Sequence, residues 1–208
     1  QTQPFEKLKL AAGVVVLSPY LPLLFMGEEY GETAPFQYFV SHSDESLINA
    51  VRKGRREEFA SFAWEGEVPD PQAESAFLNS KINLGLHRQG RHHTLFKFYK
   101  ELIRLRKEIP SLSNLIRENM DIKSFEEEKV LSVRRWFEGN QVFCLYNFDD
   151  KEVKIRLTLP PGLWEKIIDS SSEEWGGQGI SSEERIESFS PETSLRLNPH
   201  GFVLYRMS

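Results

Sequence analysis

The chain has 208 residues and a formal charge of -5, with 39% hydrophobic and 27% charged residues, far from the composition of disordered chains. Mild acidity argues against a nucleic-acid partner, whose phosphates require clustered Lys and Arg. The length allows one large domain or two smaller ones.

Residues 5–17, FEKLKLAAGVVVL, place Phe5, Leu8, Ala12, Val15 and Val16 at three- and four-residue spacing, which predicts a helix ended by Ser18-Pro19. The apolar stretch from Leu10 to Phe25 is broken by Gly13, Ser18, Pro19 and Pro22, so no membrane-spanning helix is expected. No basic leader precedes it, and no membrane partner is expected. The chain starts at Gln1 directly ahead of this helix, which reads as a cut inside a longer protein. Leu23–Met26 is uniformly apolar, the pattern of a short strand covered on both faces. Helix, turn and buried strand form an α/β unit of a parallel sheet.

Residues 28–76 hold one predicted helix, Leu47 to Phe62, within a long polar and aromatic excursion. Loops of that length are functional or disordered, and Phe36, Tyr38, Phe39, Phe59, Phe62 and Trp64 favour order. Thr94 is expected to cap the next helix, LFKFYKELIRLRKEI, which buries Leu95, Phe98, Leu102 and Leu105 and stops at Pro110. Arg104, Arg106 and Lys107 suit the negative end of its dipole. Beyond residue 115 come short β-rich runs at 130–137, 141–148, 153–159, 164–169, 193–198 and 202–207, separated by turn residues, which predict a small β-sandwich. The Gly-Trp-Ser segment 170–182 reads as a flexible loop. Cys144 sits in the apolar run Val142–Tyr146 and reads as a small buried hydrophobe. With no second cysteine to pair, a reducing, cytoplasmic compartment is expected.

The chemistry-bearing candidates begin where the strand ends, at Glu28, Glu29 and Glu32. Active sites of (β/α)8 barrels lie at the C-terminal ends of the strands, and glycoside hydrolysis uses two carboxyl groups. Neighbours on a strand exit point to opposite sides, so Glu28 and Glu29 do not make that pair. A solvated loop or a structural ion pair is the competing reading. Phe36, Gln37 and Phe39 offer flat faces and an amide to sugar rings, or else pack the loop to its scaffold. For His42-Ser43-Asp44, for Arg52-Lys53-Gly54-Arg55-Arg56, and for His87, His92 and His93, ordinary polar roles are favoured over metal or phosphate binding. No phosphate-binding loop, dinucleotide fingerprint or nucleophile elbow is present, and no metal or cofactor is expected.

The segment order resembles the C-terminal part of the α-amylase superfamily of glycoside hydrolases. There, an apolar strand ending in Gly-x-Glu (Leu23–Glu29 in this chain) precedes a helix of the His93–Leu112 type, and an all-β domain follows. The stretches FMGEEYGE, PFQYFVSHSD, VRKGRREEF, PDPQAESAF and Ser80-Lys81-Ile82-Asn83 are similar to the malto-oligosyltrehalose trehalohydrolase branch. The resemblance implies that residues 1–115 are the last units of a (β/α)8 barrel with a long βα loop at 28–76, and that residues 116–208 are an antiparallel β-sandwich. It implies a retaining hydrolase that cleaves the α-1,4 bond beside the terminal trehalose of maltooligosyl trehalose. Glu28, Glu29, Phe36, Gln37 and Phe39 would contact or shape the substrate site. The catalytic Asp, Glu and Asp of that family belong to earlier barrel strands whose motifs are not in this sequence. The chain is therefore expected to be inactive alone and to partner the N-terminal part of the same barrel. Rival readings are a branching enzyme or α-amylase relative, and a stand-alone carbohydrate-binding or structural module.

Overall fold

The computed structural model describes residues 5–61, 68–179, 182–189 and 192–208. Phe62 and Trp64 lie outside them. The chain divides into two compact units, Gln1–Gly31 with His87–Ser208, and Glu32–Leu86.

In the first unit, helix α1 is Phe5–Leu17. In the second, α2 is Glu45–Ser61 and α3 is Glu74–Asn79, the latter falling in a stretch read as loop. Helices α4 (Gly90–Glu108) and α5 (Pro110–Ser113) return to the first unit. Helix α4 starts at Gly90 after Gln89, one turn before Thr94. The Thr94 hydroxyl donates instead to the Gly90 carbonyl, so Thr94 is an interior residue and not the expected cap.

Strands β1 (Met120–Phe125), β2 (Val130–Phe137), β3 (Asn140–Asn147), β4 (Val153–Leu157), β5 (Gly162–Asp169), β6 (Arg185–Ser188), β7 (Thr193–Leu197) and β8 (Phe202–Met207) follow in order. A six-stranded sheet runs β1-β2-β3-β8-β5-β6, and β4 pairs β7 in a separate ribbon. All pairings are antiparallel. The β2–β3 hairpin turns on Glu138 and Gly139, both with positive φ, which suits the right-handed twist of the strands it joins.

The central strands explain their own sequences. On β3, Val142, Cys144 and Tyr146 join the helical core with Leu10, Val16, Phe98 and Leu102. The alternate residues Phe143 and Leu145 join the ribbon core with Ile155, Leu157, Leu195 and Leu197. Strand β8 divides likewise, with Phe202 and Leu204 toward the helices and Val203 and Tyr205 toward the ribbon. A strand covered on both faces must be apolar at every position, which is why VFCLY and FVLY run without alternation. Burial pushes the Cys144 thiol well above its ordinary pKa.

Helix α1 lies close on the sheet because Gly13 has no side chain. A Cβ at that position would stand 2.3 Å from Cε1 of Phe202. Three cations secure the same helix. Lys9, fully buried, donates to the carbonyls of Ser170 (2.5 Å) and Trp175 (3.1 Å) and pairs with Glu6 at 2.9 Å. Arg106 donates to the carbonyls of Val16, Ser18 and Tyr20, so it caps α1 rather than closing its own helix. Arg135 donates to the carbonyls of Leu17 and Asn114, and burial lowers its pKa to about 10. Carbonyls left over at a helix end need such donors.

Two expectations are corrected. Residues 21–25 pair with no strand among the described residues, and Leu23, Phe25 and Met26 are exposed while Leu24 packs on the core. The expected strand is an extended segment, because a strand requires neighbours for its N–H and C=O groups. Segment 170–179 is packed rather than flexible: Ser170 and Ser171 are buried, and a 3-10 turn at Glu173–Trp175 sets the Trp175 ring 5.3 Å from Phe98. Lys9 holds its backbone.

Candidate functional site

Gly27, with φ of 83°, turns the extended segment into a 3-10 turn at Glu28–Tyr30. The positive φ disfavours any residue with a Cβ. The turn presents the Glu28 carboxylate back to its own chain and to α4. One oxygen accepts from the Tyr99 hydroxyl at 2.8 Å and the other from the Phe25 amide at 3.0 Å. Tyr99 is buried, and that burial, with the bond to Glu28 and the charge of Glu29 beside it, pushes its pKa well above the usual phenol value. Among the described residues, Glu28 is thus held by a phenol and an amide. Glu29 is half-buried one residue on.

Phe36, Gln37 and Phe39 belong to the second unit. The segment that carries them runs beside residues 71–80. Gln37 donates its backbone N–H to the Ser80 hydroxyl at 2.9 Å, Val40 donates its N–H to the Pro71 carbonyl at 2.8 Å, and the His42 backbone exchanges two bonds with the Gln72 side chain. Phe36 and Phe39 meet edge to face at 6.4 Å, and Phe39 meets Phe77 at 5.2 Å. Such geometry is favourable for aromatic pairs. Phe36, Phe39 and Phe77 remain exposed on this surface. Sequence reasoning did not single out Phe77, Gln72 or Glu74 in this segment.

The basic run proves structural at two of its arginines. Arg52 grips Asp70 with a bidentate contact whose closest distance is 2.7 Å, and that contact holds the Asp70 carboxyl below its usual pKa. The Arg55 guanidinium lies 5.2 Å from the Tyr38 ring centroid and 5.0 Å from that of Phe59. Asp44 caps α2 by accepting the Leu47 backbone N–H at 2.8 Å. Glu32 accepts from the amides of Thr33, Ala34 and Asn83. His92 contacts the Tyr30 carbonyl and His93 the His87 carbonyl, and no cluster of metal-ligating side chains exists among the described residues. None of the described helices is long and apolar enough to cross a membrane.

Helical elements followed by an antiparallel all-β domain make up the described chain. Residues 122–208 match the family model described as "Alpha amylase, C-terminal all-beta domain". The chain is 36% identical over 156 residues to the malto-oligosyltrehalose trehalohydrolase of Rhizobium sp. (strain M-11), covering 74% of this chain and 26% of that protein. It is 41% identical over 152 residues to the malto-oligosyltrehalose trehalohydrolase of Deinococcus radiodurans, covering 70% of this chain and 25% of that one. The chain thus spans about a quarter of the length of these curated relatives. The crystal structure of a putative alpha amylase from Salmonella typhimurium superposes over 98% of this chain and 31% of its own, with TM-score 0.74 and 28% identity. An alpha-amylase from H.orenii shares the fold at TM-score 0.58 and 16% identity, over 99% of this chain and 36% of its own. These likenesses support a C-terminal fragment of an α-amylase-family protein, with residues 122–208 matching that family's C-terminal all-β domain.

Proposed function

We propose that the chain serves as the C-terminal part of a retaining glycoside hydrolase that cleaves the α-1,4 bond next to the terminal trehalose of maltooligosyl trehalose and releases trehalose. The observation that carries the reading is its similarity, 35–45% identical, to proteins that bear that enzyme's name. In this reading the catalytic Asp, Glu and Asp come from earlier strands of the same barrel, and the 208 residues alone do no chemistry. Both Glu28 oxygens are committed to Tyr99 and Phe25, so Glu28 shapes the turn after residues 21–26 instead of moving protons. Glu29 adds negative charge there, and Phe36, Gln37 and Phe39 supply ring faces and an amide to the glucan. The enzyme works in the cytoplasm.

The test is a trehalose-release assay with maltooligosyl trehalose. The 208-residue chain should release none, and the longer native polypeptide containing it should release trehalose. Phe36→Ala and Glu29→Gln in that polypeptide should lower turnover while leaving the thermal midpoint unchanged. Formation of α-1,6 branches without trehalose would assign a branching enzyme instead, and wild-type kinetics in both variants would remove these residues from the substrate site.

A further inference from the structure

Phe39, Ser41, Gln72, Glu74 and Phe77 line a cleft of about 450 Å³ that lies wholly within the second unit. Its size falls in the range of small-molecule sites, roughly 300–1,000 Å³. One wall is the segment carrying Phe39 and Ser41, and the other is the start of α3 with the residues before it. The walls are tied by fixed contacts. Val40 bonds to Pro71, Gln72 bonds twice to the His42 backbone, and Ser80 bonds to the Gln37 amide. The Phe77 ring stands 65° to that of Phe39 and is further held by Lys81, whose Nζ lies 4.7 Å from its centroid. The two rings make a corner, and Phe36 continues the aromatic surface from Phe39.

The chemistry of the lining selects the occupant. The exposed Glu74 carboxylate disfavours an anion, and no metal-ligating cluster is present among the described residues. A purely apolar ligand would strip water from Gln72 and Glu74 without replacing its hydrogen bonds. Gln72 spends one N–H and one lone pair on His42, which leaves one of each for a ligand. A carboxylate accepts from hydroxyl groups, and ring faces accept the C–H side of a sugar. A neutral polyhydroxylated chain with apolar faces satisfies every group in the cleft.

We infer that this cleft is an α-1,4-glucan subsite, with Phe39 and Phe77 as its walls and Gln72 and Glu74 as its hydroxyl-reading groups. The inference rests on the proposed function for the identity of the sugar, and extends the site to three residues, Gln72, Glu74 and Phe77, that no resemblance assigned.

The test is calorimetric titration of the 208-residue chain with maltopentaose, using glucose as a size control. Saturable binding of maltopentaose is expected. Phe77→Ala and Phe39→Ala should each weaken it about tenfold, equivalent to about 1.4 kcal/mol. Glu74→Ala should weaken it severalfold, and Phe189→Ala, at an exposed ring of the β domain, should leave it unchanged. Light scattering on the same samples checks mass. A dimer that Phe77→Ala dissociates would give the cleft to a second copy and overturn the inference. So would the absence of saturable binding, or binding indifferent to Phe39 and Phe77. Trehalose release keeps the two readings apart. A cleft that fails to bind while Phe36→Ala slows release defeats this subsite alone. A cleft that binds while no trehalose is released defeats the proposed reaction alone.

Discussion

Gly13→Ala should destabilise the chain, against the ordinary preference of helices for alanine. In a helix interior, exchanging Gly for Ala gains about 1 kcal/mol. Here the new Cβ would stand 2.3, 2.6 and 2.7 Å from three carbons of the Phe202 ring, where optimal carbon contacts lie near 3.5–4.0 Å. Relief requires the ring to move by more than about 1 Å. Phe202 is fully buried, with the rings of Phe98 at 5.9 Å and Tyr146 at 5.6 Å, so the ring has nowhere to go. Overpacking of that kind costs about 1–3 kcal/mol, and the lack of an escape route puts this case at the upper end. The net is a loss of about 1–2 kcal/mol, or roughly 2–8 °C in thermal midpoint for a chain of this size. Urea unfolding of Gly13→Ala, Phe202→Leu and the double variant gives the measurement. The smaller side chain should make room, so the double variant should be more stable than the sum of the singles by about 1 kcal/mol. A raised midpoint for Gly13→Ala, or strict additivity in the cycle, would refute the close approach of α1 to β8.

The remaining predictions address single groups. Arg135→Met should cost about 2–4 kcal/mol in urea unfolding, because the Leu17 and Asn114 carbonyls lose a charged donor where water has little access; a loss below about 0.5 kcal/mol would mean those carbonyls find other partners. Asp149 is held down to about pKa 2 by bonds from Asp150 and Lys129, below its ordinary 3.8. A depressed carboxylate contributes stability that is full above its unfolded pKa and lost as pH falls through the folded value, so this contribution should fade between about pH 4 and 2. Lys129→Met should shrink the fading in an acid titration, and an identical acid limb in wild type and variant would disprove the link. Cys144 should resist a thiol reagent at pH 8 in the native chain and react at once in denaturant. Rapid native labelling would contradict its burial between sheet and helices.

How far sequence reached depended on how many neighbours each element has. Helix α1 and strands β2 and β8 were legible to the residue, because each packs on a core that dictates its pattern. The two strands that escaped notice, β1 and β6, are the two edges of the six-stranded sheet. An edge strand has one partner, and MDIKSF and RIES carry little apolar signal to betray them. The reverse error fell on Leu23–Met26, where an apolar run implied a buried strand and no sheet partner is present among the described residues. Segment 170–179 read as loop from its Gly and Ser content, yet Lys9, 161 residues away from Ser170, pins it through main-chain carbonyls that no composition reveals.

The candidate site divides in the same way. Phe36 and Phe39 stood out because aromatic residues in a long loop need a reason to be there. Their opposite wall did not, since α3 has six residues and shows no period to read. What joins the walls is a set of hydrogen bonds from the Gln72 and Ser80 side chains to main chain 30 to 43 positions away. Those contacts convert an exposed aromatic stretch into a cleft with fixed corners. Fixed geometry limits how far ring faces and polar groups must reorganise to hold a sugar, which is the condition for a specific site. Gln72→Ala should weaken maltopentaose binding, because it removes both the tie to the His42 backbone and a hydroxyl-reading group, and retention of full affinity would show that the rings alone suffice.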